Sequence, residues 1–169
     1  MTNTLEDNRP ILEVCLTPAL WDQHDPKDKN VVVIDIIRAT STIASALHHG
    51  VKKMIPVETV EEANTWLEKG YLVAGERDGI KIPHFHFGNS PFEFMGEDVR
   101  GKEIIHTTTN GTRCVLKSKG ARNIVAGSFV NQDAIFDWIK KENRNTILFC
   151  AGWKDHYVMD DALFAGAVV

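Results

Sequence analysis

The feature that most restricts the fold is the stretch Val31–Thr42, VVVIDIIRATST, where an apolar run stops on Asp35 and gives way to Arg38 and a Thr-Ser-Thr cluster. Val31, Val32, Val33 and Ile34 are all β-branched and show no polar alternation, which suits a strand covered on both faces of a parallel sheet. The following residues read as the start of a helix over Thr42 to His49, with Thr40, Ser41 and Thr42 placed to cap its unpaired N–H groups. Such a helix start also attracts an anion, because its free N–H groups sit at the positive end of the helix dipole. Arg38 adds a fork of donors and Asp35 a hard oxygen, so one turn has the parts to hold an anion and a divalent cation together. The same pattern also fits a plain capped helix with Asp35 as a turn carboxylate, and the rest of the chain has to separate the two.

Strand-length apolar runs and amphipathic helix-length segments alternate through the remainder. The runs are Ile11 to Leu16, Val31 to Ile37, Met54 to Val57, Tyr71 to Ala74, Ile104 to Thr107, Asn123 to Ala126 and Thr146 to Ala151. Helices are predicted from Val60 to Lys69, with Ala63, Trp66 and Leu67 on one face, from Gly111 to Lys119 and from Gln132 to Glu142. This order predicts an α/β fold with a largely parallel sheet, in which ligands gather beyond the carboxyl ends of the strands. A length of 169 residues suits a single domain over 1–169. Asp160 to Val169 opens a helix that stops without a breaker, so the chain reads as C-terminally truncated.

Charge and cysteine usage exclude several classes. A formal net charge of −4 argues against a nucleic-acid partner, and an anionic ligand would then need a local pocket of Arg. No run reaches the roughly 18 apolar residues of a membrane span, and the N-terminus MTNTLEDNRPILEV has no signal-peptide core, so a cytoplasmic protein is expected. Cys15, Cys114 and Cys150 are widely spaced without a CxxC pair, which suits buried thiols better than disulfides or zinc. Neither GxGxxG nor a Walker GxxxxGK[ST] follows any strand, which weighs against a nucleotide-dependent α/β enzyme.

If the strands are parallel, one end of the sheet collects several polar turns. GERDG, Gly75 to Gly79, presents Glu76 as a metal ligand or water-activating carboxylate and Arg77 as an anion clamp, although it also fits a charged surface turn. FGNSP offers Asn89 as a donor and Ser90 as a cap ahead of Pro91. HTTTNGTR has Thr109 in the turn, Asn110 as the expected cap, Gly111 leaving room for a phosphate, and Thr112 and Arg113 donating from the first helical turn. GSFVN adds Ser128 and Asn131, with a cap by Asn131 as the plainer reading. His84 and His86 alternate as on one strand face but lack an obvious third metal ligand, His106 and His156 being the candidates. Asp155, Asp160 and Asp161 can complete an oxygen-only site with Asp35 and Glu76, a set that selects Mg²⁺.

In this order DIIRATST, GER, GNSP, TTNGTR, GSFVN, CAG and the closing Asp-Asp resemble the 2-phosphosulfolactate phosphatase (ComB) family from about Ile11 onward. The resemblance implies a three-layer α/β/α arrangement and a Mg²⁺-dependent phosphoric monoester hydrolase linked to coenzyme M biosynthesis. Its substrate would be 2-phospho-3-sulfolactate or a similar small anionic phosphomonoester. The chain departs from the family pattern at His86, where Asp is expected, and at Asp160, where Glu is; members also continue beyond its last residue. On this reading Asp35, Glu76, Asp160 and Asp161 supply metal ligands, Arg38 and Arg113 clamp the phosphate, Glu76 orients water, and Arg77 or Lys81 holds the sulfonate or carboxylate. An aspartyl-phosphate route through Asp35 is disfavoured, since Ile37 stands where a DxD signature would place its second Asp. A noncatalytic anion-binding module is the alternative from another class. The sequence is compatible with a homodimer without specifying one.

Overall fold

The computed structural model describes residues 9–169; the part of the N-terminal reading that falls on residues 1–8 lies outside it. Among the described residues the strands are β1 (Leu12–Cys15), β2 (Asn30–Ile34), β3 (Lys53–Pro56), β4 (Leu72–Arg77), β5 (Ile80–Lys81), β6 (Glu103–Thr107), β7 (Asn123–Gly127) and β8 (Thr146–Cys150). The helices are α1 (Ala39–His48), α2 (Val60–Glu68), α3 (Gly111–Lys117), α4 (Gln132–Glu142) and α5 (Met159–Val168). The α/β class and the predominance of parallel pairing are as the alternation predicts. The strands divide, however, between two sheets of order β1-β8-β2-β7 and β3-β6-β4-β5, antiparallel only at the β4–β5 hairpin. Apolar periodicity reports that a strand is buried and is silent on which sheet it joins.

Both sheets are sandwiched. Val31, Val33, Ile147 and Phe149 face Cys114 and Val115 of α3 and Trp21, whose ring stacks on Phe149 at 4.1 Å. Val32, Ile34, Leu148 and Cys150 face α4 through Ile135 and Trp138 and α5 through Phe164 and Ala165. Full burial of each Val or Ile is worth roughly 1.5–3 kcal/mol, which is why the uninterrupted β-branched run belongs in the central strand β2. In the second sheet Ala74 and Ile104 face Ala46 of α1 and Phe94, while Val73 and Ile105 face the Ala63, Trp66 and Leu67 stripe of α2. The chain passes between sheets through α1, which follows β2 and leads to β3, and through α3, which follows β6 and leads to β7. These two crossings bring the carboxyl ends of β2, β4 and β6 to a shared rim.

Three local expectations change. Strand β2 ends at Ile34, because the Asp35 N–H turns away to the Thr40 hydroxyl at 3.0 Å, and α1 begins at Ala39 rather than Thr42. Strand β4 runs on to Arg77, since β5 pairs with Glu76 and Arg77. His84 and His86 lie in a loop and go separate ways: His84 meets Asn64 Oδ1 at 2.8 Å, and His86 Nδ1 accepts the Val73 N–H at 3.2 Å. The three cysteines are buried free thiols. Among the described residues no helix is long and apolar enough to cross a membrane.

Candidate active site

Asp35, the residue after β2, is buried beneath the start of α1. Its Oδ1 accepts the Ala39 N–H at 3.1 Å and its carbonyl the Thr40 N–H at 2.9 Å, so the first two N–H groups of α1 are engaged by Asp35. Asp35 therefore occupies part of that helix start, and the hydroxyl cluster does not cap: Arg38 holds the cap position without a side-chain cap bond. Thr40 Oγ1 instead donates to Asp35 O at 2.8 Å, Ser41 Oγ to Ile36 O at 2.8 Å and Thr42 Oγ1 to Asn89 O at 3.2 Å. A Cβ on Gly111 would lie 2.7 Å from both Asp35 Oδ2 and Ala39 Cβ. The space that Gly111 opens thus receives the Asp35 carboxylate.

Asp161, buried at the start of α5, ties two strand ends together: Oδ1 accepts the Ile36 N–H at 2.8 Å and Oδ2 the Gly152 N–H at 2.9 Å. Glu76, buried at the end of β4, accepts the Thr109 N–H at 2.7 Å on Oε1, and the Gly79 N–H at 2.6 Å and the Thr109 hydroxyl at 3.1 Å on Oε2. Burial, reinforced by the neighbouring charges of Asp161, Glu76 and Asp160, pushes Asp35 up to about 7. Burial also raises Asp161 to about 6, with Asp160 adding to it and the bonds from Ile36 and Gly152 opposing it. Four carboxylates therefore share one electrostatic neighbourhood, and the least engaged oxygens are Asp35 Oδ2 and the partly buried Asp160. Among the described residues no three His, Cys, Asp or Glu side chains form a ready-made metal shell. Mg²⁺ takes only one or two carboxylates and keeps its waters, so this hard-oxygen donor set fits it.

The cations stand on the same rim. Arg38 Nη2 donates to Gly79 O at 2.9 Å, bridging the start of α1 to the β4–β5 turn. Arg113, in the first turn of α3, is two residues from Gly111, and its guanidinium meets Asp155 with Nη2 to Oδ1 at 3.0 Å.

A family model described as 2-phosphosulpholactate phosphatase matches residues 15–169. The chain belongs to the 2-phosphosulfolactate phosphatase family. It is 45% identical over 151 residues to a probable 2-phosphosulfolactate phosphatase of Caldanaerobacter subterraneus subsp. tengcongensis, covering 87% of this chain and 63% of the relative. Proteins with the same printed name from Carboxydothermus hydrogenoformans and Thermotoga maritima are each 43% identical, over 85% and 83% of this chain and 60% and 61% of theirs. The chain thus spans about three fifths of the length of these relatives.

Several other residues picked out by the phosphatase-family motifs have structural partners. Arg77 donates to Glu76 O at 2.6 Å, Thr107 Oγ1 at 2.9 Å and Glu58 O at 3.3 Å, and Lys81 donates to His86 O at 2.8 Å. Both cationic groups are thus engaged by scaffold oxygens, and because successive side chains of a strand leave opposite faces, Arg77 is directed away from the face that presents Glu76. Asn89 Oδ1 faces His106 Nε2 at 3.2 Å, and burial pushes that histidine down to about 4. Ser90 precedes a single 3₁₀ turn, Pro91–Phe94, without a side-chain cap bond. Ser128 and Asn131 bond each other, with Asn131 Oδ1 accepting the Ser128 N–H at 2.8 Å, so this pair caps the turn into α4. At α3, Asn110 accepts the Lys154 N–H at 3.1 Å instead of capping, and Thr112 is engaged with Thr108. The cap is supplied by Thr108, which exchanges bonds with Thr112 at 3.0 and 3.1 Å, a pairing prefigured only by the Thr-x-x-x-Thr spacing. The pairing of Asp155 with Arg113 and of Lys154 with Asp78 was also missed; the turn residues of GWKD were its one local hint.

Proposed function

We propose that this chain carries the catalytic rim of a cytoplasmic, Mg²⁺-dependent phosphatase acting on 2-phospho-3-sulfolactate or a closely similar small anionic phosphomonoester, releasing the alcohol and phosphate. The reading is supported above all by one arrangement: buried Asp35, Glu76 and Asp161 lie together at the carboxyl ends of strands, with Arg38 and Arg113 beside them. Family membership and the printed names of the relatives point the same way.

Arg38 and Arg113 are assigned to the nonbridging oxygens of the phosphoryl group, where a fixed guanidinium fork stabilises the charge that develops during transfer. Asp35 Oδ2 and Asp160 would hold the divalent cation. When bound, the cation supplies charge neutralisation and alignment of the phosphate for in-line attack by water. Glu76 and Asp161, with backbone donors already on both oxygens, act as positioning residues: they fix Thr109 and Gly79 on one side and Ile36 and Gly152 on the other. Water attack breaks the bond between phosphorus and the ester oxygen, and the departing alkoxide takes up a proton to become the hydroxyl of sulfolactate.

Phosphate release from 2-phosphosulfolactate and from simple phosphomonoesters, with Mg²⁺ and after complete chelation, tests this directly. Release that needs the metal and prefers the sulfonated ester is expected. Hydrolysis surviving full chelation removes the cation from the reaction, and phosphate binding without any release makes the chain a binding module.

A further inference from the structure

We infer that Asp155 is an internal stand-in for the substrate's anion, occupying the Arg113 guanidinium in the free protein and yielding it when phosphate arrives. The inference rests on the phosphatase reading, because it takes Arg113 as a ligand for the phosphoryl group. Arg113 differs from its neighbours in how it is held. Arg77 is bound by three oxygens of the scaffold, whereas Arg113 meets the single carboxylate of Asp155.

The contact has the form by which guanidinium recognises a carboxylate or a phosphate, with Nη1 and Nη2 at 3.2 and 3.3 Å from Oδ2 and Nη2 at 3.0 Å from Oδ1. It is also imperfect. Oδ1 is enclosed yet lacks an aligned hydrogen bond, and the two side chains stay 41% and 43% exposed, open to exchange with a dissolved anion. A dianionic phosphate offers the same fork more oxygens and more charge than a carboxylate does.

Asp155 is delivered by a small strap. Trp153 and His156 close it with reciprocal backbone bonds of 2.9 Å, and Lys154 and Asp155 at its tip have φ of +49° and +65°. Non-glycine residues keep that conformation only where their surroundings hold them there. The holding bonds all come from the rim: Gly152 N–H to Asp161 Oδ2 at 2.9 Å, Lys154 N–H to Asn110 Oδ1 at 3.1 Å and Lys154 Nζ to Asp78 at 2.7 Å. Displacing Asp155 from Arg113 releases one tie at the tip while the bonds to Asn110, Asp78 and Asp161 keep the rest in place, and it changes the charge beside Trp153, whose ring lies 5.7 Å from Lys154 Nζ.

Inorganic phosphate is the probe. Asp155→Asn, which keeps size and polarity, is expected to bind phosphate about two- to fivefold more tightly, the range that a half-exposed ion pair supports. KM for the phosphoester should fall by a similar factor with kcat little changed, while Arg113→Ala weakens phosphate binding. Titrating wild-type protein with phosphate should shift a tryptophan emission component that Trp153→Phe lacks, at the same midpoint as inhibition by phosphate. The inference is overturned if Asp155→Asn binds phosphate no more tightly while Arg113→Ala weakens it, an outcome that leaves the phosphatase reading intact. It is equally overturned if saturating phosphate leaves Trp153 emission unchanged, a measurement needing no substitution at Asp155. If Arg113→Ala alters neither phosphate binding nor hydrolysis, the role of Arg113 in the phosphatase reading falls with it.

Discussion

Gly111→Ala probes the closest approach in the site. The added Cβ would meet Ala39 Cβ and Asp35 Oδ2, each at 2.7 Å, where apolar atoms in contact prefer about 3.5–4.0 Å. Ala39 has no rotamer to change, and Asp35 can swing only by giving up its 3.1 Å bond from the Ala39 N–H. The starts of α1 and α3 must therefore separate by roughly 1 Å, and overpacking of this kind costs about 1–3 kcal/mol. Replacing glycine at a helical position returns about 1 kcal/mol, leaving a net loss of up to about 2 kcal/mol. For a chain of this size that is a fall in Tm of up to roughly 8 °C. The effect on catalysis should be larger, because Arg113 shares α3 with Gly111 and a displacement of about 1 Å can cost on the order of 10²-fold in turnover. Gly166→Ala in α5 is the control, since a Cβ there meets nothing within 4 Å. Thermal unfolding and phosphate release measured on both variants decide the matter. If Gly111→Ala melts with wild-type protein and turns over within twofold of it, the packing of Gly111 against Asp35 has no bearing on the site.

Arg38→Ala and Arg113→Ala should each lower kcat/KM by about 10²-fold or more, as loss of a transition-state donor does, and near-normal rates in both would remove the guanidinium clamp. His106, held near 4 against an ordinary 6.5, folds in its neutral form; as pH falls from 6.5 towards 4 the unfolded chain takes a proton that the folded one refuses, so stability drops by up to ~3 kcal/mol. Asp35 and Asp161, raised to about 7 and 6, act in the opposite sense over an overlapping range, so the signal is read as wild type minus His106→Gln in urea denaturation. That difference should decline steadily below pH 6.5, and a flat difference would refute a buried neutral His106. Thr108→Ala should cost about 1 kcal/mol by uncapping α3, with Thr108→Ser restoring most of it; an unchanged urea midpoint would show that the exchange with Thr112 contributes nothing.

Much of the architecture was legible because it is written in local pattern. The β-branched run of Val31 to Ile34 is the fully buried β2, the Ala63, Trp66 and Leu67 stripe is the buried face of α2, and Gln132–Glu142 is a helix as the sequence predicts. Burial of one face imposes a period that survives in the sequence whatever the partner is. Asp35, Glu76 and Asp161 stood out as candidates for a related reason, each being a charged residue at the edge of an apolar element.

What each of those groups does with its hydrogen bonds was decided by tertiary structure alone. Asp161 accepts from Ile36, 125 residues away, and Glu76 from Thr109, 33 away, and contacts over such separations leave no mark on composition or spacing. The hydroxyls of Thr40, Ser41 and Thr42 are polar groups at a helix start, yet folding set each against a backbone carbonyl, because a hydroxyl withdrawn from water gains by finding a partner. The division of the strands into two sheets and the capture of Arg113 by Asp155 belong to the same category. Sequence determines which residues must leave water and where the chain can turn; only packing determines which polar atoms then meet, and so which stay free for a ligand.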